Sequence, residues 1–178
     1  AIRDAAPERI IVACSALSAV VAAMASLNVA LSEIAPDIGA DSAQITWLVD
    51  GYTLTLAALL LPCGALGDRF GRRGVLVVGL VIFAIASAMA IVLSTPEEII
   101  ATRVVAGAGA ALVMPATLSL ITSGVPENKR PLAVGIWAGV AGAGAILGFL
   151  VTGVLLEFFS WHSIFIAFAV AAGAMALL

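Results

Sequence analysis

The sequence predicts an all-α integral membrane protein, a bundle of six helices whose sixth is truncated. Composition is the first reason. Of 178 residues, 63% are hydrophobic and 11% charged, and the mean hydropathy is +1.20; soluble domains are roughly 45–50% apolar and about 25% charged. A soluble fold of this length buries only about 70% of what its unfolded chain exposes, too little to hide so much apolar surface. The second reason is length patterning, because apolar runs of about twenty residues alternate with short polar breaks. The third is that the runs are solidly apolar, without the alternation of a barrel strand. That leaves the helix as the form that satisfies its own backbone in lipid. Soluble enzyme, nucleic-acid module and disordered linker are excluded. A formal charge of −3 supplies no basic stripe for phosphate contacts.

After an N-terminal segment over 1–9, spans are predicted at about 10–31, 45–66, 75–93, 99–121 and 132–156. A sixth runs over 163–178, about 16 residues, short of a comfortable crossing. The breaks, Ser32–Asp41, Gly67–Gly74, Ser94–Glu98, 124–131 and Glu157–His162, hold the turn formers and most charges. The first run, about 22 residues behind a segment of mixed charge, is too long for a signal-peptide core of about 7–15. It is read as a retained span. An initial alanine and an unfinished last span give the expectation of a piece of something longer, with a C-terminal half absent.

Orientation follows from Lys and Arg. Arg3 and Arg9 precede the first span, Arg69, Arg72 and Arg73 separate the second and third, and Lys129 and Arg130 separate the fourth and fifth. Alternating helices place all seven on one side, so the N-terminus is expected in the cytoplasm of a multi-pass cell (inner) membrane protein. Trp47 and Trp161 then fall at the outer interface, where amphipathic rings prefer to sit.

Two charges lie inside spans. Asp50 and Arg103 each sit about five residues, roughly 7 Å, from the outer end of a helix. Intramembrane charges pair or mark a pathway, so equal depth predicts a direct or water-mediated pair, or two walls of one polar cavity. Tyr52, Asn28, Thr53, Thr117 and Ser119 are candidate lining groups, although hydroxyls also bond within their own helix. Small residues mark helix contacts: Gly135 and Gly139, Gly144 and Gly148 in the fifth span, and Gly107 and Gly109 in the fourth, with Pro115 and Pro62 as candidate kinks. Cys14 and Cys63 read as buried hydrophobes. No metal or nucleotide motif is present, so neither cofactor nor enzymatic chemistry is expected.

The sequence Gly64-Ala-Leu-Gly67-Asp68-Arg69-Phe-Gly71-Arg72-Arg73, between the second and third spans, resembles the signature loop of the major facilitator superfamily. Its acid opposes the dipole at the end of the second helix, so a cation or another helix N-terminus is expected beside Asp68. The segments Trp47–Leu54, Arg103 with Gly107 and Gly109, Met114–Ser119 and Glu157–Ser163 resemble the fourteen-helix drug:proton antiporter branch, the quaternary-ammonium multidrug exporters. The resemblance implies the six-helix N-terminal half of that fold, alternating access, and partners in the lipid bilayer, a small-molecule substrate, protons, and a second half or second copy. It also implies proton or cationic-drug handling at Asp50, and matches Arg103 to the buried arginine of the fourth span associated with proton coupling. The departures are Ala23 in place of a first-span acid, Ser32 for a proline, Phe149 for the proline after Gly148, Thr152 for a glycine, and Phe168 and Val170 for an asparagine and a proline. They leave the architecture intact and bear on coupling and substrate. A non-transporting scaffold or sensor, a decayed half-transporter and an uptake carrier of the same superfamily are the alternatives.

The orientation is testable. A single cysteine in the 124–131 loop, in a background lacking Cys14 and Cys63, is expected to react with an impermeant maleimide only in opened cells. Labelling in intact cells would reverse the topology.

Overall fold

In the computed structural model the described residues, 7–123 and 125–177, form six α-helices. These are α1 (Pro7–Asp37), α2 (Ser42–Phe70), α3 (Arg72–Met89), α4 (Pro96–Thr122), α5 (Arg130–Phe158) and α6 (His162–Leu177), with one 3-10 turn, Glu127–Lys129, before α5. The first five are long and apolar enough to cross a membrane; α6, at 16 residues, is shorter. Of the segment expected over 1–9 only the backbone of 7–9 is described, and Gly124 and Leu178 also lie outside the described residues.

The helices overrun their apolar stretches, because capping rather than hydropathy sets where they stop. Asp41 caps α2: its Oδ1 accepts from the Gln44 amide at 2.8 Å, and Gln44 Oε1 accepts from the Asp41 amide at 2.9 Å. Thr95 and Glu98 form the same reciprocal box on α4, with Pro96 at the first helical position. Gln44 then donates Nε2 to Glu97 Oε1 at 2.6 Å, tying the starts of α2 and α4 together. Helix α3 stops short of the predicted Leu93, since residues 91 and 92 take three-residue turn bonds to Ala88 and Met89. The predicted break over Gly67–Gly74 shrinks to Gly71, whose φ of +94° reverses the chain in one residue.

Helix α4 is the hub. It lies between α2 and α3, while α1 pairs with α5, and α6 rests on α3 and α1. Two apolar clusters fill the bundle. One is built around Val20, Tyr52, Leu80, Phe83 and Val113; the other, nearer the acid-bearing end, around Ile34, Leu48, Ile99, Trp161 and Phe165. Trp161 is packed inside the bundle rather than standing free at its rim. It is 4% exposed, stacks on His162 and donates its indole N–H to Asp37 Oδ2 at 2.8 Å, so the buried polar end of the ring is satisfied by α1.

Lipid offers no hydrophobic force between helices, so close backbone approach carries much of the packing. A Cβ on Gly107 would stand 2.5 Å from the Tyr52 carbonyl oxygen on α2. One on Gly109 would stand 2.8 Å from the Gly79 oxygen on α3, and Gly79 meets the Gly109 oxygen at the same distance. Gly144 and Gly148 press α5 onto Ser18 and Ala22 of α1, with Cβ distances of 2.7 Å. Gly135 and Gly139 differ: nothing described lies within 4 Å of either Cβ position, so this pair makes no close contact among the described residues.

These contacts separate two similar substitutions. Gly148→Ala is expected to destabilise the chain by about 1–3 kcal/mol, as overpacking does, with a lowered melting temperature in detergent. Gly139→Ala should be neutral or slightly stabilising, by up to about 1 kcal/mol of helix propensity. Equal losses at both positions would contradict the packing.

Candidate functional site

Arg103 is the buried cation of the bundle, 4% exposed on the second turn of α4. Its Nε donates to the Leu48 carbonyl of α2 at 3.4 Å, and Nη2 donates to the Ala23 carbonyl of α1 at 3.5 Å. The guanidinium carbon lies 4.4 Å from the centroid of the Tyr52 ring, a cation–π contact. Tyr52 is fully buried, and its hydroxyl donates to the Val20 carbonyl at 2.7 Å. Three helices therefore converge on one charge. Gly107, a turn beyond Arg103, makes the geometry possible by letting α4 touch the α2 backbone at Tyr52.

The predicted direct Asp50–Arg103 pair is not formed. Asp50 is half-buried, and its carboxylate has no ion-pair or hydrogen-bond partner among the described residues. The reason is rotation about the helix. At about 100° per residue, Asp50 and Tyr52 point about 200° apart, so when Tyr52 faces Arg103 the acid faces away. Tyr52 is likewise corrected from a cavity-lining group to a packed support for the arginine.

The other candidates bond locally. Asn28 is exposed and donates to the Met24 carbonyl at 3.1 Å. Thr53 donates to the Val49 and Asp50 carbonyls. Thr117 donates to Met114 O at 2.8 Å and accepts the Trp137 indole N–H at 3.2 Å, a tie between α4 and α5. Ser119 contributes its carbonyl, which accepts Arg72 Nη1 at 3.1 Å.

The Gly64–Arg73 loop closes the basic end. Asp68 Oδ1 lies 3.6 Å from Arg72 Nη2, one turn on. The cation beside Asp68 is thus Arg72, at the start of the neighbouring helix, although the acid's side chain is 73% exposed and such a pair contributes little. Gly64, Gly67, Asp68, Arg72, Pro115 and Ser119 line a pocket of about 250 Å³ between α2 and α4. Pro115 approaches the Cβ position of Gly64 to 3.7 Å, and Arg69 stands 5.3 Å over the Phe70 ring. Among the described residues no group of three His, Cys, Asp or Glu could hold a metal ion.

A family model described as the Major Facilitator Superfamily matches residues 11–178. The chain belongs to the major facilitator superfamily. Over 141 residues, 79% of this facilitator chain, it is 42% identical to the methyl viologen resistance protein SmvA of Salmonella typhimurium and 43% identical to the multidrug efflux pump LfrA of Mycolicibacterium smegmatis, covering 28% of each. It is 39% identical over the same length to the methylenomycin A resistance protein of Bacillus subtilis, covering 30% of it. The chain thus spans under a third of these curated relatives. A six-helix bundle with a shorter sixth helix matches the N-terminal domain of the facilitator fold, a multi-pass membrane carrier fold rather than an enzyme.

Sequence reasoning missed Tyr52 as the cradle of Arg103, Gly79 as partner of Gly109, and the Trp137 tie. An isolated glycine or aromatic in an apolar run carries no periodic signal. Tyr52→Phe keeps the ring over Arg103 but removes the bond to Val20, and is expected to cost about 1 kcal/mol. Tyr52→Leu loses ring and bond, about 3 kcal/mol together. Thermal unfolding in detergent measures both; equal losses would remove the cation–π contact from the account.

Proposed function

We propose that this chain is the N-terminal half of a proton-coupled exporter of lipophilic or cationic small molecules, from the fourteen-helix drug:proton antiporter branch. The observation that carries the reading is Asp50, a half-buried carboxylate set within a span and without an ion-pair or hydrogen-bond partner among the described residues. An acid at that depth is kept for a cation that comes and goes. The relatives' names, which speak of resistance and efflux, support the outward direction.

In this mechanism a cavity between this half and a second one opens alternately to each side. Asp50 takes a proton from outside and releases it as the cationic substrate binds from within. Arg103 does not neutralise Asp50; clasped by α1, α2 and α4, it holds those helices as one body while the halves rock. The Gly64–Arg73 loop lies on the cytoplasmic side, and the N-terminus shares that side of the inner membrane.

The test uses the full-length protein in everted vesicles with ethidium as the transported cation. Asp50→Asn is expected to reduce proton-driven transport by at least about tenfold, with expression and insertion near normal, while Asp50→Glu retains transport. Wild-type pH dependence in Asp50→Asn would place coupling elsewhere, or leave the uptake or non-transporting alternatives standing.

A further inference from the structure

Helices α5 and α6 each pack on α1 but barely touch one another. Between them lies a groove of about 250 Å³, open on one side, whose walls include Ser18, Ala22, Ser26, Thr152, Phe168 and Ala171. On α1 it runs from Ser18 to Ser26, about 12 Å at about 1.5 Å per residue. The exposed apolar side chains Leu147 and Val151 also line it, so its open side is apolar.

Three hydroxyls lie in these walls, and two are committed. Ser18 and Ser26 donate across to α5, to the carbonyls of Val140 at 3.5 Å and Gly148 at 3.3 Å. Thr152 is 1% exposed and has no hydrogen-bond partner among the described residues. A helical threonine ordinarily bonds the carbonyl one turn back. Here that carbonyl is Gly148 O, and it accepts from Ser26 instead. A hydroxyl so nearly buried and left unpaired is costly; the fully enclosed unpaired side-chain oxygen among the described residues is Ser163 Oγ, so Thr152 Oγ1 keeps a small opening.

We infer that the groove between α1, α5 and α6 binds a neutral lipophilic small molecule carrying one hydrogen-bonding atom, which Thr152 engages. The apolar walls take an elongated body reaching the groove from the bilayer. No acid or base lines it, which disfavours a charged ligand. A bare acyl chain would fill the space but leave Thr152 unpaired. Asp50 is not in these walls, so the site is separate from the proposed coupling carboxylate and does not depend on it.

Photolabelling of the full-length protein in membrane vesicles, without a proton gradient, tests this. The probes are a diazirine-bearing octanol and the matching diazirine-bearing octane, with adducts mapped by mass spectrometry. The alcohol is expected to label groove residues of α1, α5 and α6, to be competed by plain octanol, and to outcompete the octane. Thr152→Val, which keeps the shape, should weaken alcohol labelling about fivefold, the size of one net hydrogen bond; Thr152→Ser should largely retain it. Asp50→Asn should label like the wild type, which separates this result from any failure of proton coupling. Absence of adducts in the groove, equal labelling by both probes, or no effect of Thr152→Val would overturn the inference.

Discussion

One guanidinium organises the centre of this bundle. Arg103 reaches a carbonyl on α1, a carbonyl on α2 and the face of Tyr52, and Tyr52 passes the connection back to α1 through its own hydroxyl. A cation this deep has nowhere to go for water, so its partners must be fixed before the helices are placed. The arrangement uses backbone oxygens and a π face rather than a carboxylate. Gly107 is part of the same constraint: a side chain there would push α4 off α2 and take the arginine from Tyr52.

The position of Ala23 sharpens this point. Where the antiporter resemblance leads one to expect an acid on the first span, the chain has a methyl group, and Arg103 takes the carbonyl of that same residue. The arginine is held there by backbone oxygens and the Tyr52 ring, with no carboxylate among its described partners. Asp50 has not turned in to replace it, because Tyr52 holds that face of α2. The two intramembrane charges are therefore near in depth but separate in surroundings, one locked and one open.

Number, type and approximate extent of the helices were legible in the sequence, since apolar runs and their breaks report directly on burial in lipid. So was depth: Asp50 and Arg103 could be placed at one level from residue counts. Rotation was not legible. A helix that is apolar on all sides gives no stripe from which to read which face points inward, and this is why Asp50 was paired where Tyr52 belongs. Glycine spacing failed in the same way. Gly135–Gly139 and Gly144–Gly148 look alike in sequence, yet among the described residues only the second meets a neighbour, because the pattern records the opportunity for contact and not its direction. The helix ends were readable in principle: Asp41 with Gln44 and Thr95 with Glu98 carry the spacing of reciprocal caps.

Gly71 has a mechanical consequence. It is the whole connection between α2 and α3, one residue with φ of +94°, while the two helices make little contact with each other and both lie against α4. The chain there has no slack. A joint without play transmits torque, so a turn of α2 about its axis cannot be absorbed in a loop and must pull on the first turn of α3. At their other ends the tie from Gln44 to Glu97 holds α2 to α4. The α2 helix is thus joined to α3 at one end and to α4 at the other, with no free loop at either junction.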